Sequence, residues 1–381
     1  MKRGNKNIWL LGGSSLFNDI GSEMVTPLLP FYVSSLGGNG AVLGLISGMR
    51  EGLASILKLI GGWLSDFWGK RKPFVFFGYL LSSIFRFLLI LASSWKSIIA
   101  LVSLERIGKV RDAPRDVIIT HSTKKRGRGF ALHQALDTSG GVIGTLLVIF
   151  LFWFLGFSMK TIIIVASLIS LLALIPLFFV KDVKTPPIKK SIIEGIHKLD
   201  KRLKYFIFVS AIFTLAHFGL YMFLILRAQE ITGSIALSLS LYAIFSLAYA
   251  VFAVPFGKLS DKVGRKMVLF LGYVLFLVVI SGFIVAFNFI YLIVMFALYG
   301  LVYAIVQSNQ KAYAADLAGK MKGTALGLYG AVTGLVNIPA GLIAGLLWDK
   351  SPLAMFYYIF VIGLISLVLL YFVKEGNEFR K

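Results

Sequence analysis

The chain has 381 residues, 58% hydrophobic and only 15% charged, with a formal net charge of +22. A soluble globular domain carries about 25% charged residues, so this composition excludes an ordinary soluble protein and fits a polytopic membrane protein of about a dozen spans. No cysteine is present, which excludes disulfides, thiolate metal sites and cysteine nucleophiles.

The basic start "MKRGNKNIWLLGG" leads into an apolar run that continues past Phe31. No small-residue cleavage site follows, so this is a retained first span, near 8–36, rather than a signal peptide. Further apolar windows lie near 41–65, 74–95, 130–155 and 160–180. They resume near 205–228, 235–256, 267–288, 290–314, 324–347 and 353–373. A further span is hidden in "SIIALVSLERIGKVRDAPRDVIIT" at 97–120. The basic loops at 70–72 and 124–128 belong on one side of the membrane, so an even number of crossings separates them. Pro114 is expected to bend that span.

The sequence therefore predicts an all-α fold of twelve transmembrane helices in two six-helix bundles. The bundles occupy 1–180 and 205–381, and 181–204 is a basic amphipathic linker on the lipid surface. Lys96, Lys160, Arg227 and Lys350 are the bases of the outer loops, whereas the other loops and both termini are rich in Lys and Arg. This bias places both termini in the cytoplasm and the protein in the cell membrane. Membrane lipid is then the surrounding partner, nucleic acid is not one, and the chain acts as a monomer.

Charges inside the spans are concentrated in the first half. The bases Arg50, Lys58, Arg86, Arg106, Lys109, Arg111 and Arg115 are matched by the acids Asp19, Glu23, Glu51, Glu105, Asp112, Asp116 and Asp137. Such residues face a cavity or one another. Equal numbers of each sign suit buried ion pairs, yet small residues hold helices together without the desolvation cost of charge. The expectation is a polar cavity in which protons and a small-molecule substrate meet. Asp19 and Glu23, four apart, project from one helix face and are candidate proton carriers. Arg50, Arg106 and Lys109 are their candidate partners or hold an anionic solute, and Glu51, Arg111 and Asp112 line the same cavity. His217 is the only histidine expected well inside a span. Tyr221, Gln307, Asn309, Gln310 and Asn337 either line the cavity or bond between helices.

The halves repeat. "GGWLSDFWGKRK" at 61–72 matches "GKLSDKVGRK" at 257–266 at an offset of 195, and "RGFALHQALDTSGG" at 128–141 matches "KGTALGLYGAVTGL" at 322–335. Two copies of G-x-x-x-D-x-x-G-[RK]-[RK] at half-chain spacing make the sequence resemble the major facilitator superfamily over essentially its whole length. The resemblance implies two halves rocking about a central site, with the two loops as cytoplasmic latches. Gly62, Asp66, Gly69, Lys70 and Arg71 would form one latch, and Gly257, Asp261, Gly264, Arg265 and Lys266 the other. Asp66 would face the helix start near Thr324, and Asp261 the one near Phe130. Arg115 and Asp116 would lie by this gate, Asp116 as a partner of the loop bases.

"ERIGKVRDAPRD" at 105–116 also resembles the G-K-G-x-R-x-A-P-R-D signature of a prokaryotic branch of the superfamily, with Val110 at the second Gly. The G-x-x-x-G-P signature of drug–proton antiporters is incomplete: Gly140 and Gly144 are followed by Thr145. No phosphate-binding loop, dinucleotide fingerprint or H-E-x-x-H is found, so no cofactor or bound metal is expected. The expected function is secondary active transport of a small polar or anionic solute, coupled to protons. Efflux of amphipathic compounds, organic-anion exchange and uniport are alternatives, and a membrane-embedded transferase is the reading from another class.

Overall fold

The computed structural model describes residues 3–123, 126–183, 199–318 and 322–373. The linker at 184–198 and the tail from 374 lie outside them, as do the side chains near Thr324. All regular structure among the described residues is helical. In lipid, a helix satisfies every backbone group within its own segment.

The first helices are α1 (Arg3–Val25), α2 (Leu29–Ser35), α3 (Gly40–Trp68), α4 (Lys72–Leu88), α5 (Trp95–Ile107), α6 (Asp112–Ser122), α7 (Arg126–Ile149), α8 (Met159–Leu171) and α9 (Leu174–Phe179). The later ones are α10 (Lys201–His217), α11 (Tyr221–Thr232), α12 (Ile235–Val263), α13 (Arg265–Ile284), α14 (Phe289–Leu317), α15 (Lys322–Lys350) and α16 (Pro352–Tyr371). Among the described residues, ten helical segments are long and apolar enough to cross a membrane on length and composition alone. Two further crossings run through α1, whose Ser, Asn, Asp and Glu residues lower its hydropathy, and through α5–α6, whose many charges hide it from hydropathy.

The α5–α6 crossing is broken where Pro114 is expected to act. A 3₁₀ turn at Gly108–Arg111 separates the two helices; it contains Val110, whose carbonyl would face the ring and missing N–H of Pro114 four residues on. The turn passes close to α4: a Cβ on Gly108 would lie 2.0 Å from Ser82 Oγ and 2.4 Å from the Gly78 carbonyl oxygen.

Two compact units form. One comprises residues 1–38 and 53–189, and the other residues 39–52 and 190–381. In the first, α7 lies directly on α1, because a Cβ on Gly140 or Gly144 would fall 2.5 Å from the Leu16 carbonyl or 2.3 Å from that of Ile20. Ile8, Leu11, Val75, Tyr79, Ile118, Ile119 and Leu177 form an apolar core at one end of this unit.

In the second unit the first half of α3 packs backbone to backbone on α15. A Cβ on Gly44 would lie 1.9 Å from the Gly341 carbonyl oxygen, and one on Gly345 2.2 Å from that of Gly40. Asp349, at the far end of α15, accepts hydrogen bonds from the Gly40 and Ala41 amides at 2.6 and 2.9 Å. It thereby caps α3, where free N–H groups and the helix dipole favour an anion.

Candidate functional site

Close packing of α7 on α1 sets Asp137 opposite Asp19. The two carboxyl groups lie close enough to interact directly, and two like charges at short range are eased when one proton is held between them. Asn18 donates a hydrogen bond to Asp19 at 2.9 Å. Lys109 acts electrostatically on both acids, Arg111 on Asp19, and Arg115 and His133 on Asp137. The carboxyl that reaches Asp19 is thus Asp137, from another helix, while Glu23 lies a turn away beside Gly141.

A polar relay adjoins the pair. Ser15 Oγ lies 2.8 Å from the Tyr79 hydroxyl and 3.0 Å from His133 Nε2, and Arg115 donates to it at 3.3 Å. His133 is buried inside α7, so His217 is not the only histidine within a span. The relay joins α1, α4, α6 and α7.

The bases inside the spans of this unit are held by acids. Glu105 takes Arg86 at 2.9 Å and Arg106 at 2.8 Å, so Arg106 is paired with its own chain neighbour. Asp112 takes Arg115 at 3.5 Å, with Lys109 and Arg111 at 3.9 Å. Arg111 also bonds Ser82 Oγ at 2.8 Å and lies 4.3 Å from the Tyr79 ring centroid. Asp116 takes Arg115 at 3.3 Å and Lys58 at 3.5 Å, rather than a base of the Gly69 loop.

The two repeated loops have matching local architecture. Gly69 and Gly264 have φ of +66° and +95°, a conformation that favours glycine. Ser65 and Ser260 each bond the carbonyl three residues back, at Gly62 and Gly257. Arg71 grips Asp66 at 2.6 Å and donates to the Ser65 carbonyl. Arg265 holds Asp261 at 3.0 Å and also pairs with Asp316. Lys72 and Lys266 both donate at 2.9 Å to carbonyls, of Phe178 and Tyr371, whereas Lys70 is exposed. The copies differ in packing: a Cβ on Gly62 would meet Ala113, while nothing lies near one on Gly257.

In the second unit, His217 ends α10 and packs among Phe213, Phe276, Tyr299 and Tyr303. Gln310 bridges the Tyr273 and Tyr329 hydroxyls at 2.7 and 2.8 Å. Asn309 and Asn337 bond carbonyls of their own helices. Arg50 is buried and Glu51 half-buried. Among the described residues, no group of three or more His, Asp or Glu is placed to hold a metal.

The model of the Major Facilitator Superfamily matches residues 11–244 and 206–380. An uncharacterized MFS-type transporter of Methanocaldococcus jannaschii is 45% identical over 379 residues, spanning 97% of this chain and 95% of that protein. The multidrug resistance protein MdtH of Photorhabdus laumondii is 28% identical over 254 residues, covering 64% of this chain and 61% of its own length. Among solved structures, a mutant of the nucleoside transporter NupG superposes with a TM-score of 0.84 at 12% identity, covering 97% of this chain and all of that one. At that identity the likeness is one of fold.

Proposed function

The chain belongs to the major facilitator superfamily, a family of membrane transporters, and we propose that it is a proton-coupled carrier whose coupling site is the Asp19–Asp137 pair. The close approach of these carboxyls, on helices packed backbone to backbone at Gly140 and Gly144, carries the reading. With one proton, the pair has a single negative charge and joins α1 to α7. Without it, two negative charges face each other and compete with Asp112 for Lys109 and Arg115. Proton loss thus changes which helices are tied together, as alternating access requires.

The repeated loops act as cytoplasmic gates in this reading. The engagement of Arg86, Arg106, Lys109 and Arg115 by carboxylates leaves little ready-made anion site in the first unit. This supports an amphipathic substrate over an anionic one, in keeping with the partial likeness to a protein named for multidrug resistance. Infrared difference spectra of the reconstituted protein across a pH titration test the site. The carboxylic-acid C=O band that titrates in the native protein is expected to disappear in Asp19→Asn and in Asp137→Asn. A titration unchanged in both variants refutes the assignment.

A further inference from the structure

The second unit contains a group that the proton site does not use. Glu51 sits eleven residues into α3, about 16 Å along its axis, which is mid-depth in a hydrocarbon core of about 30 Å. It takes part in no ion pair or hydrogen bond among the described residues. Arg50, its neighbour, projects about 100° away around the helix. A carboxylate held unpaired at this depth is costly and marks a ligand path by default.

Aromatic rings surround the same region. Tyr303 lies 5.0 Å from His217, 5.3 Å from Phe245, 5.7 Å from Tyr249 and 5.8 Å from Tyr299, centroid to centroid. Phe245 and Tyr303 meet nearly at right angles, as do Tyr249 and Tyr303, so ring faces are turned in more than one direction. Glu51 is within electrostatic reach of the Tyr299 and Tyr303 phenols. Two polar atoms here are buried with no hydrogen-bond partner, His217 Nε2 and the Tyr299 hydroxyl oxygen; the histidine is 8% exposed and the tyrosine 0%. Packing alone does not account for such atoms, because a buried polar group without a partner is destabilising.

The ring faces and the carboxylate are all negative, so the charge of the region favours a cation over an anion. We propose that this aromatic cluster, with Glu51 as its counter-charge, binds the cationic head of an organic cation, a quaternary or protonated amine bearing apolar or aromatic groups. Ring faces attract a desolvated cation through their quadrupoles, and the carboxylate neutralises it. The unpartnered imidazole and phenol supply hydrogen bonds to a polar substituent beside the charge. The inference rests on the transporter reading but not on the proton site, whose residues lie in the other unit.

The test is equilibrium binding of radiolabelled tetraphenylphosphonium to the full chain in lipid nanodiscs, with no gradient imposed. Saturable binding is expected. It should weaken at least tenfold in Glu51→Gln and several-fold in Tyr303→Leu, and stay within twofold of native in Tyr303→Phe, which keeps the ring face. Phenyltrimethylammonium should displace the probe, whereas neutral tert-butylbenzene and anionic benzenesulfonate should not. Absence of saturable binding by the native chain overturns the proposal. So does native affinity in Glu51→Gln, or equal displacement by the neutral or anionic competitor. Failure of the proton-site reading appears separately, as an unchanged carboxyl titration in Asp19→Asn and Asp137→Asn.

Discussion

Replacing Gly44 by alanine tests whether the contact of α3 with α15 is a working surface. The added Cβ would lie 1.9 Å from the Gly341 carbonyl oxygen and 2.7 Å from its carbon. Both are backbone atoms and cannot swing aside. Restoring an ordinary contact of about 3.5 Å requires the helices to part by roughly 1.6 Å at this point. Overpacking of this kind costs about 1–3 kcal/mol, borne only where the helices touch. The equilibrium then shifts toward the arrangement in which they are apart by about 5- to 150-fold. Because the chain has no cysteine, a single reporter gives a clean signal. Ser47, 1% exposed and bonded to the Gly219 carbonyl at 2.8 Å, suits the change Ser47→Cys. Maleimide labelling of this cysteine should accelerate by that factor when Gly44→Ala is added. Gly330→Ala is the control, since nothing lies within 4 Å of its Cβ and it gains the same helix propensity. If Gly44→Ala labels no faster than Gly330→Ala, the reasoning is wrong.

Other substitutions probe the remaining contacts. Asp349→Ala removes the acceptor for the Gly40 and Ala41 amides; losing a cap of about 0.5–2 kcal/mol should speed the same labelling by roughly 2- to 30-fold. Glu105→Gln strips the charge from the partner of both Arg86 and Arg106; breaking a buried pair costs about 3–5 kcal/mol, and the melting temperature in detergent should fall well below that of Glu230→Gln, whose carboxylate is exposed in its pair with Arg227. The repeated loops should respond unequally. Arg71 is 2% exposed and Arg265 20%, so Arg71→Ala should lower the melting temperature more than Arg265→Ala does. Equal losses would show that burial does not set the worth of these contacts.

The duplicated loop was legible because its chemistry is local. A glycine that must take positive φ, a serine bonding three residues back and an arginine on an aspartate four or five residues away all lie within one short stretch, at 62–71 and again at 257–266. The charged α5–α6 crossing was legible from loop charge alone, as an argument about sides of the membrane rather than hydropathy. Placement of the bend was legible too, because proline disturbs the turn that precedes it and the 3₁₀ turn falls at 108–111; the close approach of Gly108 to α4 was not, since that contact is with another helix. The proposed proton site was half legible. Helical period puts Asp19 and Glu23 on one face but says nothing of which helix they meet. Asp137 was visible as the acid of its span, and its position three residues before Gly140 was the available clue, because that glycine brings α7 onto α1. His133, Ser15 and Tyr79 gave no signal, being common residues that matter through their partners. Glu51 read as one charge among many until its lack of a partner and its tyrosine neighbours became visible.

The central claim is that proton movement passes through the Asp19–Asp137 pair. Its most direct test is current on a solid-supported membrane carrying the reconstituted chain, recorded while cationic, polar and anionic solutes are applied under an imposed pH gradient. The account predicts a solute-dependent proton current in the native protein that is lost in Asp137→Asn as completely as in Asp19→Asn, while solute binding survives in both. A proton current of native size in Asp137→Asn would contradict it and would return that pair to the ion-pair scaffold around it.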